Sequence, residues 1–269
     1  MSPQLAVIGA GVMGEALVSG LLRAGWSPDD IVVADRRDFR RAEMTAAHGI
    51  RATGNAEAVS QADTVILVVK PQDVGAVLPE IAPVMRPHTL LVSLCAGVTT
   101  TALESHLPEG TAVVRVMPNT PALVSAGMAA VSAGSSASAE DVEHAMELMT
   151  AVGKAITVPE TYQDAVTAIS GSGPAYLFFV VEAMIDAGVM LGLPRDIATT
   201  LVNQTMYGSA KLLIESGSHP TVLREQVTSP GGTTAAALRQ LEDHRVKAAF
   251  ITAMEAARDR SRALAGPDR

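Results

Sequence analysis

The fold is decided near the N-terminus by residues 5–14, Leu5-Ala6-Val7-Ile8-Gly9-Ala10-Gly11-Val12-Met13-Gly14. A short apolar run leads into three glycines with the spacing Gly-x-Gly-x-x-Gly, and a helical pattern follows. Gly9 permits the tight turn, Gly11 lets a pyrophosphate approach the backbone, and Gly14 lets the helix pack against the strand. We therefore predict a dinucleotide-binding unit whose cofactor contacts run from Ile8 to Gly14.

Short β-branched runs alternate with helical patterns through the first half of the chain. This alternation predicts a parallel, doubly wound sheet. The predicted strands are nearly continuous apolar runs, as strands covered on both faces should be: 5–8, 31–34, 64–69, 90–93, 113–116, 128–132 and 156–158. The main helices among them are predicted at 13–24, 37–47 and 139–150.

After about residue 160 the strand-like runs end and helical periodicity takes over. The predicted helices are 174–191, 195–215, 222–227, 234–242 and 246–263. The first is apolar on most of its circumference, so it must be buried on several faces. We expect a Rossmann-like α/β domain over 1–160 and an all-α domain over 161–269 that also builds the subunit interface.

The composition excludes several classes of function. A net charge of −8 argues against nucleic-acid and anionic-membrane partners, and an aromatic content of 3% argues against a base-stacking surface. A single cysteine cannot form an internal disulfide, which is typical of a reducing compartment. The sequence shows no signal peptide, membrane span or metal-ligand spacing, so we expect a cytoplasmic protein without a metal site.

The cofactor type is left open by three consecutive residues. Asp35 ends the second predicted strand, 21 residues after Gly14, where an acidic side chain usually binds the ribose 2′-hydroxyl of NAD. Arg36 and Arg37 follow at once, and arginine suits a 2′-phosphate. The basic run continues beyond them, so an ordinary solvated helix start is the alternative. NADPH is favoured, and NADH remains possible.

Ligands of doubly wound sheets bind at the carboxyl ends of the strands. Three turns at this edge are candidate cofactor contacts, and the small residues there would let a nicotinamide ring lie against the backbone: Val69-Lys70-Pro71, Cys95-Ala96-Gly97 and Asn119. Each could equally be a plain strand–helix turn. Cys95 ends an apolar run, which favours a buried thiol over a nucleophile.

A second glycine loop lies far from the first, at Ser229-Pro230-Gly231-Gly232-Thr233-Thr234. It opens a predicted helix, and a helix start offers free N–H groups and a positive dipole end to an anion. The glycines allow close approach, and a threonine supplies a hydroxyl. The loop predicts a small substrate with a carboxylate or phosphate, although a Pro-initiated helix after a turn would look similar.

Six segments in this order resemble one family over nearly the whole chain: 9–14, 69–72, 96–99, 115–121, 170–176 and 229–234. The family is that of Δ1-pyrroline-5-carboxylate reductase, and the last three segments are highly specific to it. The resemblance implies NAD(P)H-dependent hydride transfer to the cyclic imine of 1-pyrroline-5-carboxylate. The product would be L-proline, in the last step of proline biosynthesis.

The resemblance also implies site residues and an assembly. The substrate contacts would be Ser229, Gly231, Gly232, Thr233 and Thr234, with Thr234 nearest the imine as the catalytic residue. The N–H groups of residues 232–234 would hold the carboxylate. Contacts with the adenosine end of the cofactor map to Arg36 and Asn55, and the acidic Asp35 departs from members with a small or neutral residue there. Homodimers would form through the helical domain and assemble into decamers.

Two other functions deserve comparison. A dehydrogenase of the β-hydroxyacid type shares this domain order, but it relies on a lysine in the helix that opens its second domain, and residues 170–191 contain none. A nucleotide-sensing protein without turnover would not need the second glycine loop.

Overall fold

The computed structural model describes residues 4–264. They form two compact units, one made of residues 4–172 with 256–264 and the other of residues 173–255. The boundary predicted at 160/161 differs from this division. Residues just after 160 pack on the first unit, where Gln163 Nε2 donates to Ala130 O (3.2 Å) and to Ser132 Oγ (2.8 Å).

The first unit is built on one eight-stranded sheet with the order β3-β2-β1-β4-β5-β6-β7-β8. All neighbouring strands are parallel except β6 and β7. The strands are β1 Leu5–Ile8, β2 Ile31–Ala34, β3 Arg51–Thr53, β4 Thr64–Leu67, β5 Leu90–Ser93, β6 Ala112–Met117, β7 Gly127–Ala133 and β8 Gly153–Thr157.

Helices cover both faces of this sheet. They are α1 Val12–Arg23, α2 Asp38–His48, α3 Asn55–Val59, α4 Pro71–Ile81, α5 Thr100–Glu104, α6 Ala139–Thr150 and α7 Gln163–Val166, with a π turn at Thr167–Gly171. Leu5 and Val7 of β1 pack into one apolar cluster, whereas Ala6 and Ile8 pack into another. Successive side chains of a strand point to opposite faces, so β1 is buried on both sides, as the doubly wound prediction requires.

The second unit is helical. It contains α8 Gly173–Met190, α9 Arg195–Ser216, α10 Pro220–Gln226, α11 Thr233–Asp243 and the first half of α12 Val246–Leu264. The turn between α8 and α9 uses Gly192 at φ +96°, and α9 packs back on α8 where Gly188 faces Ala198. The structure thus confirms the predicted change from α/β to all-α.

The long apolar helix of this region is poorly covered by its own chain. With the turns before it, residues Glu160–Met190 are long and apolar enough to cross a membrane by length and composition, and 6% of the apolar window is buried. Such a helix also occurs where subunits meet. The expected absence of a membrane span therefore stays a prediction.

Most predicted elements are found within a few residues of their expected bounds. The sequence missed β3, because Arg51-Ala52-Thr53 is a short, partly exposed edge strand without an apolar run. The start of β8 was predicted at residue 156, three residues too late, because the strand begins at Gly153, which pairs with Gly127.

Candidate active site

The first glycine loop has the backbone geometry that its sequence predicts. Gly9 has φ +108°, and a Cβ there would lie 2.4 Å from the Val68 carbonyl oxygen. A Cβ on Gly14 would lie 2.1 Å from the Gly9 carbonyl oxygen, so both positions exclude a side chain. At Gly11, by contrast, a Cβ would meet no atom within 4 Å. The space beside Gly11 is open to a ligand.

This loop borders a cavity of about 500 Å³. Ten of the predicted cofactor residues line it, namely Ile8, Gly9, Gly11, Val12, Asp35, Arg36, Arg37, Asn55, Val69 and Lys70. The sequence missed five further lining residues: Val68, Asp73, Ala76, Val77 and Glu80. Four of these lie on one face of α4, and their spacing of three and four residues is the signal that could have revealed them once α4 was placed beside the loop.

Asp35 is buried and fully engaged by the protein. One carboxylate oxygen accepts the Ala10 N–H at 3.0 Å, and the Arg37 guanidinium donates to both oxygens at 2.9 Å. Burial alone would raise the pKa of Asp35, but the hydrogen bonds from Arg37 and Ala10 outweigh it and lower that pKa to about 2. Asp35 is therefore ionised and braces the glycine loop.

The same loop is held from its other side by Arg40. Its Nε donates to the Ala10 carbonyl oxygen at 2.5 Å, and its Nη2 pairs with Glu15 of α1. Ala10 is thus fixed at its N–H by Asp35, which follows β2, and at its C=O by Arg40 of α2. The basic run that follows Asp35 contributes to this scaffold as well as to the cavity.

Arg36 and Arg37 occupy different environments. The Arg37 guanidinium is closed in its pair with Asp35 and lies over the Phe39 ring. The Arg36 side chain is 78% exposed at the cavity, and its nearest carboxylate oxygen is Asp73 Oδ1 at 3.6 Å. Arg36 is the arginine available to an anionic ligand.

Eight predicted cofactor residues do not line the cavity: Ala10, Met13, Gly14, Pro71, Cys95, Ala96, Gly97 and Asn119. Cys95 is buried, its thiol donates to Val69 O at 3.3 Å, and burial raises its pKa. Asn119 accepts the Met128 N–H at 2.8 Å and donates to Ser170 at 3.3 Å. The burial of Cys95 confirms the prediction of a buried thiol, whereas the sequence did not reveal the partners of Asn119.

The second glycine loop has the predicted helix start, with one correction. Gly231 has φ +71°, Gly232 caps α11, and no side chain caps the helix. The prediction that the Gly232 N–H holds a carboxylate is wrong for this geometry, because that N–H donates to Ser229 O at 3.0 Å. The first-turn N–H groups left for an anion are those of Thr233, Thr234 and Ala235.

Neither glycine loop contains a metal site. Across residues 4–264, no group of three or more His, Cys, Asp or Glu residues could hold a metal ion. The chemistry that the two loops offer is anion binding by backbone N–H groups, together with the Thr234 hydroxyl.

Comparison with known proteins gives one consistent result. The family described as pyrroline-5-carboxylate reductase dimerisation matches residues 160–264, and the family of NADP oxidoreductases that are coenzyme F420-dependent matches residues 4–97. A pyrroline-5-carboxylate reductase of Corynebacterium melassecola is 45% identical over 97% of this chain and 98% of its own.

Solved structures agree with these matches. A pyrroline-5-carboxylate reductase of Coxiella burnetii has a TM-score of 0.92 and 35% identity, covering 98% of this chain and 99% of its own. The Plasmodium falciparum pyrroline carboxylate reductase with NADP bound has a TM-score of 0.87 and 31% identity, covering 98% of both chains.

Proposed function

This chain belongs to the pyrroline-5-carboxylate reductase family, and from that premise we propose which of its residues perform the reaction. It is an NAD(P)H-dependent oxidoreductase that reduces the cyclic imine of 1-pyrroline-5-carboxylate to L-proline, the last step of proline biosynthesis. The observation that carries this assignment is the 45% identity over 97% of the chain.

The cavity beside the first glycine loop fits a dinucleotide. Gly11 leaves open the space that a side chain would fill, and Arg36 and Lys70 supply exposed cations. We propose NADPH as the preferred cofactor, with Arg36 on the 2′-phosphate and Asn55 near the adenosine end. NADH remains a usable cofactor, because Arg37 is bound to Asp35 and only Arg36 of the pair is left to select for the phosphate. When bound, the reduced nicotinamide supplies the hydride.

The substrate carboxylate is proposed to bind at the start of α11. The N–H groups of Thr233, Thr234 and Ala235 face no side-chain cap, so an anion there gains hydrogen bonds and the favourable end of the helix dipole. Ser229, Gly231 and Gly232 form the turn that leads into the helix. Gly231 has a positive φ there, and the Gly232 N–H donates to the Ser229 carbonyl oxygen.

Thr234 is proposed as the catalytic residue. Its hydroxyl forms no hydrogen bond within residues 4–264, so it is free to bond the ring nitrogen of the substrate. That nitrogen is basic enough to arrive protonated, and no strong protein acid is then required. The chain's main contribution is positioning, which can lower a barrier by about 7–11 kcal/mol at most.

Residues 160–264 form a dimerisation domain of this family. We further propose that homodimers assemble into decamers and that the enzyme is cytoplasmic. The apolar side chains that α8 leaves exposed support an extensive subunit interface, and the single cysteine is compatible with a reducing compartment.

The assignment is tested by adding 1-pyrroline-5-carboxylate to purified protein and following the oxidation of NADPH and of NADH. We expect both cofactors to be oxidised in proportion to the proline formed. The KM for NADPH should be lower than the KM for NADH. Samples without the imine provide the control. Oxidation of neither cofactor would contradict the function, and cofactor binding without turnover would favour the nucleotide-sensing alternative.

A further inference from the structure

The cavity wall that α4 contributes carries two carboxylates. Asp73 and Glu80 lie at the two ends of a helix face whose middle is Ala76 and Val77. With Asp35 they give the lining three acidic side chains, against the three basic side chains of Arg36, Arg37 and Lys70. The formal charges cancel, although the ligand proposed for this cavity bears phosphates.

The acidic side chains differ in what they bind. Asp35 is paired with Arg37 at 2.9 Å, and Glu80 accepts from Asn55 Nδ2 at 2.8 Å. Asp73 instead faces Arg36, with 3.6 Å between Oδ1 and Nη1. Asp73 is therefore the carboxylate that competes for the one arginine available to a 2′-phosphate.

We infer that Asp73, through its ion pair with Arg36, is a specificity-determining residue that limits the preference for NADPH over NADH. A 2′-phosphate must take Arg36 from Asp73 or share it, and it is also repelled by the carboxylate. NADH carries a neutral hydroxyl at that position, so neither effect acts on it. The inference rests on the proposed function, because it requires a nicotinamide dinucleotide in this cavity.

The test is a pair of dissociation constants for Asp73→Asn. Binding of NADPH and of NADH to the full-length protein is measured by titration calorimetry without substrate. We expect the Kd for NADPH to fall about fivefold, the scale of an exposed ion pair, and the Kd for NADH to change less than about twofold. Asp73→Glu keeps the charge and should keep the ratio of the two constants near that of the wild type.

A matched control is available outside the cavity. Asp63 pairs with Arg86 at 3.1 Å, so Asp63→Asn removes the same charge and also breaks an exposed Asp–Arg pair. It should leave the ratio of the two constants unchanged. In an Arg36→Ala background, the selective effect of Asp73→Asn should be smaller, because the ion pair no longer exists and only the repulsion between the carboxylate and the 2′-phosphate remains.

Three results would overturn the inference: an equal effect of Asp73→Asn on both constants, an equal shift of the ratio by Asp63→Asn, or a full effect in the Arg36→Ala background. Failure of the proposed function looks different. If Asp73→Asn shifts the ratio of the two constants but the protein does not reduce the imine, the inference stands and the proposed function fails. If the protein reduces the imine but the ratio does not shift, the inference fails and the proposed function stands. A protein that binds neither dinucleotide refutes both.

Discussion

Arg36 and Arg37 are neighbours in the chain, yet the fold gives them different surroundings. Arg37 is held by both oxygens of a buried carboxylate, and Arg36 extends along the cavity. Their sequence predicts two equivalent phosphate ligands. The structure separates a scaffold residue from a candidate recognition residue, and the two can be tested individually.

We predict that Arg36→Ala raises the KM for NADPH severalfold while changing the KM for NADH little, because only NADPH carries the 2′-phosphate. Arg37→Ala should instead lower the free energy of unfolding, since the buried Asp35 carboxylate would lose two charge-assisted hydrogen bonds. Its effect on the two KM values should be equal. Steady-state kinetics with both cofactors and denaturant unfolding measure these quantities, and a cofactor-selective effect of Arg37→Ala would reverse the assignment.

The catalytic proposal for Thr234 can be separated from a binding role by one isosteric change. Thr234→Val keeps the side-chain volume and removes the hydroxyl. If that hydroxyl bonds the ring nitrogen mainly in the transition state, kcat should fall by about 5- to 150-fold, equivalent to roughly 1–3 kcal/mol. A rise in KM with unchanged kcat would instead indicate ground-state binding alone.

The adjacent Thr233→Val is the matched control for that experiment. Thr233 is proposed to act through its backbone N–H, which the substitution preserves, so kcat should stay within about twofold of the wild type. If Thr233→Val and Thr234→Val had the same effect, the Thr234 hydroxyl would have no special role, and the substrate site would depend on backbone groups.

At the scale of elements, two glycines of the motif that joins β1 to α1 have different roles, one in packing and one in ligand binding. Gly14 is required by the packing of α1 against the loop, whereas Gly11 is the N-cap residue of α1 and a Cβ added to it would meet no atom within 4 Å. The sequence motif already assigns the two glycines different roles, and the structure agrees with that division. Their surroundings predict that one serves folding and the other serves the ligand.

Gly14→Ala should therefore destabilise the protein by about 1–3 kcal/mol, because its Cβ would lie 2.1 Å from a carbonyl oxygen that cannot move freely. Gly11→Ala should change the stability by less than about 0.5 kcal/mol and weaken cofactor binding at least tenfold, since the methyl group occupies open space next to the loop. Thermal unfolding and cofactor titration of both variants check this. Normal cofactor affinity in Gly11→Ala would mean that the pyrophosphate lies elsewhere.

The sequence predicts best the strands that are buried on both faces, because they appear in it as continuous apolar runs. β1 and β5 are apolar on both faces and appear at their predicted bounds. The sequence could not predict that Asp73 would face Arg36, because only the fold brings the first turn of α4 close to the residues that follow β2. It also could not predict that the Gly232 N–H is used by the turn at Ser229, since this depends on the path of the backbone.

At the scale of the whole molecule, the second unit exposes more large apolar side chains than a monomer usually tolerates. Among the described residues, α8 has none that are buried, and Phe178 and Phe179 are 67% and 73% exposed. α9 adds Leu201, Tyr207 and Ile214 to the exposed apolar surface. A dimerisation domain explains this composition, because a second copy can cover these side chains.

We predict that Phe179→Glu abolishes or severely weakens the dimer while α8 remains folded. Within one chain Phe179 is mostly exposed, so the substitution costs little intramolecular packing. In a dimer it would replace an apolar side chain, whose burial contributes about 1.5–3 kcal/mol, with a carboxylate that loses its water. Sedimentation velocity at micromolar concentration should show a smaller species, and circular dichroism should show unchanged helix content. Lys211→Ala, an exposed change in the same unit, should sediment like the wild type. An undisturbed assembly in both Phe179→Glu and Phe178→Glu would place the subunit interface outside α8.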